Sequence, residues 1–354
     1  MQKERKTLLG FPDWERAALL DVVDLARDLK GGRARGWLGG KVVVLYFANP
    51  SLRTRASVDA ACARLGASAV VLDAGSGGVW GLEHRDGVVM DGTPAEHVKE
   101  AARVLSRYGD AIGVRAFAQL KDWNEDKAEP LLSGFARHAT VPVFSLEGSC
   151  RHPLQGLADV QTILERVPDP RGQKLVLTWA PHFKPLPMAV PNSVVESGAL
   201  LGMDVTIARP DGFALDPEIV AAADKVAQAN GGRVRETSDR AAALEGARVV
   251  YAKSWGALRH YGDWEAEKPA RAANMASWVV RAPDLERGDD PFFMHCLPVR
   301  RNLKVEDAVL DGPRSAVIQQ AENRLWTAQA LLLRLLDGGV TRDGRPPATG
   351  PMLA

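Results

Sequence analysis

Hydrophobic and polar positions along the chain fall into two alternating rhythms. Short β-branched runs at 41–47, 69–72, 111–114 and 141–144 are almost continuously apolar, which predicts strands buried on both faces. Between them, 53–65, 96–108 and 119–137 read as helical, the first closed by Gly66. This alternation predicts a parallel sheet with crossover helices. The rhythm restarts after a helix over 152–166 and a turn-rich Pro-Asp-Pro-Arg-Gly segment at 168–172. Strands follow at 174–179, 204–208, 248–251 and 292–296, and a last helix over 321–336 carries a dense apolar stripe. Residues 338–354, rich in Gly and Pro, predict a disordered tail. The fold class is α/β, with two doubly wound parallel-sheet domains and a ligand site in the cleft between them.

Composition narrows the function. The 354 residues carry 45 Lys+Arg against 44 Asp+Glu, a net charge of +1. That balance argues against a nucleic-acid binder, though not against a small focused cluster of arginines. No run approaches the ~20 apolar residues of a membrane span, and the apolar stretch after the charged first six residues is too short for a signal-peptide core. Cys62, Cys150 and Cys296 are odd in number and widely spaced, which argues against a disulfide framework or cysteine zinc site and for a cytoplasmic protein.

Four clusters carry candidate chemistry, each at the C-terminal end of a predicted strand, where open α/β sheets bind ligands. Asn49-Pro50-Ser51-Leu52-Arg53-Thr54-Arg55 follows a strand and opens a helix. Its free backbone N–H groups, with the Arg53 guanidinium and the Thr54 hydroxyl, fit a phosphate cradle. Taken alone, it fits an ordinary capped helix with solvated arginines equally well, with Ser51 as the cap. Arg115 sits just past the strand at 111–114, His152-Pro153-Leu154-Gln155 opens a helix, and His295-Cys296-Leu297-Pro298-Val299-Arg300-Arg301 ends a strand late in the chain. Jointly they are far more specific than any one of them. Gly75-Ser76-Gly77 resembles a dinucleotide loop only weakly, because Trp80 stands where the third glycine belongs.

Ser51-Leu52-Arg53-Thr54-Arg55, His152-Pro153-Leu154-Gln155 and His295-Cys296-Leu297-Pro298 resemble the S-x-R-T-R, H-P-x-Q and H-C-L-P signatures of the aspartate/ornithine carbamoyltransferases. The resemblance runs over about 7–337. It implies a carbamoyl-phosphate domain over 1–158, completed by a helix at 321–337, and an amino-acid domain over 159–320. It also implies two bridging helices and a homotrimer. Ser51, Leu52, Arg53 and Thr54 would hold the phosphate, with Arg324 nearby. Arg115 would bridge phosphate and carbonyl oxygen, and His152 would donate to that oxygen, so that both stabilise the tetrahedral oxyanion. Gln155 and the carbonyls around Cys296 and Leu297 would take the carbamoyl NH₂, with Pro153 and Leu154 completing the segment. No metal or organic cofactor is implied, because the leaving group is already activated.

The second substrate follows from a departure. Ornithine carbamoyltransferases carry D-x-W-x-S-M-G where this chain has Lys253-Ser254-Trp255-Gly256-Ala257-Leu258, so a lysine replaces the carboxylate that pairs with the α-ammonium of ornithine. Leaving that ammonium unpaired costs about 2–5 kcal/mol by analogy with broken buried charge pairs. The change resembles the N-acylornithine carbamoyltransferases, which act on N-acetyl- or N-succinylornithine. By resemblance, Glu147 and Lys253 contact the acylornithine, as do Leu297 and Arg300, while His182 and Lys184 belong to a mobile flap over 182–186. Trp80 would reach into the neighbouring subunit's site. Alignment through Met90-Asp91-Gly92 and Glu96-His97 puts Ala95 where the acetyl branch has a glutamate, which leaves room for a longer acid. Pro187 leans the same way, as does the five-residue step from Glu147 to His152. The reading favours N-succinyl-L-ornithine over N-acetyl-L-ornithine.

Lys304 matches a position that the acetyl branch can carry as a carboxylated lysine; the alternative is an unmodified lysine lining the site. No general base pairs with Cys296 in the sequence, which argues for packing and backbone placement rather than a nucleophilic thiol. Two other readings stand beside this one: a transferase using ornithine, putrescine or aspartate, and a non-catalytic paralogue that binds carbamoyl phosphate or assembles with an active subunit.

Overall fold

Two parallel sheets carry the chain, and in each the first strand lies in the interior. The computed structural model describes residues 7–12, 14–74 and 80–342. The first sheet runs in the order Ser68–Asp73, Val42–Phe47, Ala111–Arg115, Val143–Glu147, all parallel. The second runs Arg233–Thr237, Asp204–Ala208, Lys174–Trp179, Val249–Lys253, Phe292–Met294, again all parallel. Winding reverses between Val42–Phe47 and Ala111–Arg115 in one sheet, and between Lys174–Trp179 and Val249–Lys253 in the other. Strands diverge into a crevice at such a point, and ligands bind beyond their carboxyl ends.

Strand periodicity explains the continuous apolar runs. Val43, Leu45 and Phe47 point into a large core shared with Leu19, Val22 and Val23 of the Arg16–Lys30 helix. Val44 and Tyr46 point the other way, against Ile112, Val114, Val98 and Phe135. With both faces covered, every position must be apolar. The helices Pro153–Arg166 and Val317–Leu335 pack along each other. The first leads from one sheet to the other, and the second leaves the second sheet to pack on Arg16–Lys30 and Arg53–Arg64. Asn323 Nδ2 donates to Thr162 Oγ1 at 2.9 Å across this pair. The helix Pro153–Arg166 runs through the 158/159 boundary expected from sequence.

Several expectations change. The helical stretch at 119–137 is two helices, Trp123–Lys127 and Pro130–His138, parted by Glu129 in the left-handed region at φ 46°. Proline disfavours helical backbone in the residue before it, which is the local reason for the break. Glu96–His97 is a short strand paired with Leu82–Glu83, so the helix starts at Val98. Arg233–Thr237 is an unexpected strand; it lies at a sheet edge, with Arg233 and Arg235 exposed and Val234 buried, so its pattern is polar. The last helix begins at Val317, before the expected 321. Part of the expected tail is ordered: Gly339–Thr341 pairs antiparallel with Arg35–Trp37. Residues 343–354 and Gly75-Ser76-Gly77 lie outside the described residues.

Candidate active site

Both switch points open onto one cleft of about 610 Å³. From the first sheet come Ser51, Arg53, Thr54, Arg115, Glu147, His152 and Gln155; from the second come His182, Lys253, Cys296, Leu297, Arg300 and Lys304, with Arg324 between them. All fourteen of these lining residues were candidates from sequence. Six of them, Arg53, Arg115, Arg300, Arg324, Lys253 and Lys304, are Arg or Lys, and Glu147 is the sole lining carboxylate among the described residues.

The anion end is assembled by backbone turns. Ser51 Oγ accepts the Thr54 N–H at 3.3 Å, although helical geometry makes Leu52 the N-cap and starts the helix at Arg53. Asn49 Oδ1 accepts the Phe117 N–H at 2.7 Å and so ties together the chain leaving the two strands at the switch point. Arg115, 6 % exposed, places Nη1 2.5 Å from Glu147 Oε2, with its guanidinium 4.3 Å from the Phe117 ring centre. Arg324 comes from the Val317–Leu335 helix and is buried. Its Nη2 donates to Thr54 Oγ1 at 2.7 Å and its Nη1 to Gln155 Oε1 at 3.0 Å. Burial pulls the Arg324 guanidinium down to about 10, still a cation at neutral pH. Burial also lowers Arg53.

His152 caps the Pro153–Arg166 helix, and its own N–H donates to Ser193 Oγ at 2.8 Å. Its Nε2 lies 3.3 Å from Glu147 Oε2 and 3.4 Å from Arg324 Nη1. Burial, then Arg324, Arg115 and Lys253, hold the imidazole well below its usual range, so it is neutral. A neutral imidazole can donate a proton-bearing nitrogen to a carbonyl oxygen without adding charge to a crowded cationic site.

The other wall is set by residues that sequence did not single out. Arg271 Nη2 donates to Trp255 O at 2.8 Å and Nη1 to His182 O at 3.1 Å, and the guanidinium is paired with buried Glu267. Glu267 Oε2 accepts the Ala257 N–H at 3.0 Å, so this pair fastens the 255–257 turn to the 182 segment. A charged pair at i,i+4 was the available signal. His182 Nδ1 lies 2.9 Å from Lys184 O, and burial takes the ring down to about 4. Phe183 stacks on it and receives the Arg300 guanidinium at 4.5 Å. Lys304 is 3 % exposed, and burial, then Lys253, lowers it to about 7. Asp159, also unsuspected, is fully buried beneath Gln155, and burial raises it to about 6.

Some sequence candidates lie elsewhere. The Leu52 side chain is 76 % exposed, Pro153 and Leu154 are buried in the first turn of their helix, and none of the three lines the cleft. Lys184 is exposed and does not line the cleft. Trp80 and Ala95 are outside their own chain's cleft too, but beside each other. The Ala95 N–H donates to Gly81 O at 3.0 Å, and Trp80 Nε1 to Glu96 Oε2 at 2.9 Å. Trp80 is 57 % exposed and borders an apolar hollow of about 320 Å³ with Leu72, Leu82, Val104 and Leu105. Among the described residues no group of three His, Cys, Asp or Glu could hold a metal ion, and no helix is long and apolar enough to cross a membrane.

Family models of the carbamoyl-P binding domain and the Asp/Orn binding domain of aspartate/ornithine carbamoyltransferase match residues 6–165 and 188–335. An N-acetylornithine carbamoyltransferase of Xanthomonas campestris pv. campestris is 42% identical over 335 residues, 94% of this chain and 98% of that one. An N-succinylornithine carbamoyltransferase of Bacteroides thetaiotaomicron is 41% identical over 300 residues, 84% of this chain and 88% of its own. A solved acetylornithine transcarbamylase complexed with acetylcitrulline superposes with a TM-score of 0.90 at 42% identity, covering 93% of this chain and 99% of that one. The chain therefore belongs to the aspartate/ornithine carbamoyltransferase family, as an enzyme of its N-acylornithine branch.

Proposed function

We propose that the enzyme carbamoylates the δ-amine of N-succinyl-L-ornithine in preference to N-acetyl-L-ornithine, yielding the N-acylcitrulline and phosphate on a route to arginine. The observation that carries the acyl requirement is the charge of the cleft: Lys253 and Arg300 face it, and its sole carboxylate among the described residues is already paired with Arg115. A free α-ammonium would meet cations and find no partner, whereas an acylated nitrogen carries no charge. The substrate carboxylates then face Lys253 and Arg300. Ala95 supports the succinyl group, since it adds neither bulk nor negative charge. A solved glutamate-to-alanine variant of N-acetyl-L-ornithine transcarbamylase holds N-succinyl-L-norvaline with carbamyl phosphate, which also supports this choice.

The residues divide the work as follows. Ser51, Arg53, Thr54 and Arg324 bind the phosphate, and Gln155 Oε1 with the Cys296 and Leu297 carbonyls accepts the carbamoyl NH₂. The uncharged δ-amine attacks the carbonyl carbon; a C–N bond forms and the C=O electron pair moves onto oxygen, where Arg115 and neutral His152 stabilise it. The carbonyl re-forms, the C–O bond to phosphate breaks, and the amine's extra proton leaves with phosphate. Glu147 turns from Arg115 to the incoming acylornithine. Exposure of Trp80 beside an apolar hollow supports a homotrimer in which Trp80 and Ala95 complete a neighbour's site. Steady-state assays with N-succinylornithine, N-acetylornithine and ornithine test the assignment. A kcat/KM highest for the acetyl compound would overturn the succinyl preference, and one highest for ornithine would overturn the role of Lys253.

A further inference from the structure

Asp159 lies one helical turn beyond Gln155 on the Pro153–Arg166 helix and is 2 % exposed. Its Oδ1 accepts Gln155 Nε2 at 2.8 Å and Gln320 Nε2 at 2.6 Å. An ionised carboxylate only accepts, so both side-chain amides must turn their nitrogens toward it. Gln155 is thereby left with Oε1 facing the cleft, where Arg324 Nη1 donates to it at 3.0 Å. A guanidinium only donates, so the two neighbours of Gln155 demand the same orientation. Gln320, turned the same way, presents Oε1 to the His295 N–H at 3.1 Å. That N–H begins the segment whose next residues, Cys296 and Leu297, line the cleft.

We propose that Asp159 is a positioning residue for carbamoyl recognition: one buried carboxylate fixes both the Gln155 acceptor and, through Gln320, the 295–297 backbone. The proposal rests on the carbamoyl phosphate reading above, in which these two groups take the NH₂. The arrangement selects a donor at that position. An NH₂ group finds acceptors waiting, whereas a carboxylate oxygen of the same shape meets the Gln155 oxygen and two carbonyls. Leaving buried polar groups mismatched in this way discriminates strongly. Neither Asp159 nor Gln320 reaches the cleft as a reactive group; both act through residues that do.

Calorimetric titration of the full chain with phosphonoacetamide, phosphonoacetate and inorganic phosphate tests this, in wild type, Asp159→Leu and Asp159→Asn. Wild type is expected to bind the amide at least about tenfold more tightly than the acid. Asp159→Leu should shrink that preference to within about threefold, while Asp159→Asn, whose Oδ1 still accepts from both amides, keeps most of it. Phosphate affinity should stay within about twofold throughout, because Ser51, Arg53 and Thr54 are untouched. An unchanged preference in Asp159→Leu, or a parallel loss for all three ligands, overturns the proposal alone. Wild type binding neither phosphonate overturns the carbamoyl phosphate reading, and this proposal with it. Should Asp159→Leu fail to fold, Gln320→Met removes the arm to His295 together with the Gln320 bonds to Asp159 and Tyr251, leaves Gln155 on Asp159, and is expected to lower the preference about threefold; no change there overturns the proposal.

Discussion

Glu147 Oε2 stands 2.5 Å from Arg115 Nη1 and 3.3 Å from His152 Nε2. One carboxylate thus occupies the space between the two groups assigned to the reacting carbonyl, and carbamoyl phosphate must take its place. Glu147→Gln removes the internal competitor while keeping its shape. Carbamoyl phosphate is expected to bind about three- to tenfold more tightly, since a charge-assisted bond no longer has to be broken. KM for the acylornithine should rise at least about tenfold, because the released carboxylate no longer meets the second substrate. Opposite movements of the two KM values are the signature; a parallel rise would mean that Glu147 merely supports the fold.

Arg324 joins Thr54 and Gln155 through two different nitrogens, a geometry that a lysine cannot copy. Arg324→Lys leaves one of the two buried acceptors unsatisfied and shifts the charge. A fall in kcat/KM for carbamoyl phosphate of roughly 10²-fold is expected, equivalent to about 3 kcal/mol of lost stabilisation. Single-turnover kinetics check it, and a loss under about threefold would remove Arg324 from the phosphate site.

Strands were legible wherever both faces are buried, because each position must then be apolar, as in Val42–Phe47 and Lys174–Trp179. Arg233–Thr237 was not, since an edge strand asks only Val234 to be apolar. The site was legible where chemistry and backbone coincide: Arg53, Arg115 and His152 sit at strand ends or helix starts. Asp159, Gln320, Glu267 and Arg271 were not legible, because they act on other side chains or on loop backbone. Such partners are set by which helices meet in space, and local spacing does not record that. Ala95 is legible only relative to the neighbouring Met90-Asp91-Gly92 and Glu96-His97 strings, and its position beside Trp80 depends on the pairing of Leu82–Glu83 with Glu96–His97.

Lys304 is held at about 7 by burial and by Lys253, against an ordinary value of 10.5. Between those two values the unfolded chain binds a proton that the folded chain does not, so stability rises with pH across that window. The penalty is fully present below pH ~7 and relieved as pH climbs toward ~10. In carbon-dioxide-free buffer, Lys304→Met is expected to melt above wild type at pH 6, with the advantage shrinking by pH 9. Near neutrality a large fraction of Lys304 is the free amine, which can add to carbon dioxide: a C–N bond forms, a proton is released, and the product is an anion among Arg300, Lys253 and Arg271. A ¹³C carbamate resonance in labelled bicarbonate, absent from Lys304→Met, is the expected observation. Identical spectra for the two proteins would leave Lys304 an unmodified lysine.

Ala95→Glu is expected to move the substrate preference toward N-acetylornithine. A carboxylate placed there repels the distal carboxylate of a succinyl group and fills the room it needs, while an acetyl group offers neither charge nor length. The ratio of kcat/KM for the succinyl over the acetyl compound should fall at least about tenfold, the scale set by a like-charge contact in a site shielded from water. Trp80 is unaltered in this variant, so a general loss on both substrates would point to loop damage instead.

The last prediction concerns which chain supplies that loop. Trp80 lies outside its own cleft, whereas His152 lies inside it. If a neighbour's Trp80 completes each site, Trp80→Ala and His152→Ala are each inactive as pure proteins, through different halves of the same site. Mixing them under conditions that dissociate and reassemble subunits creates sites with His152 from one parent and Trp80 from the other. Random assembly of equal amounts in a closed ring gives both native residues to about one site in four. Activity should therefore return toward about 25% of wild type after reassembly, and not after simple mixing. A Trp80 serving its own chain would yield no recovery, because no chain in the mixture carries both residues.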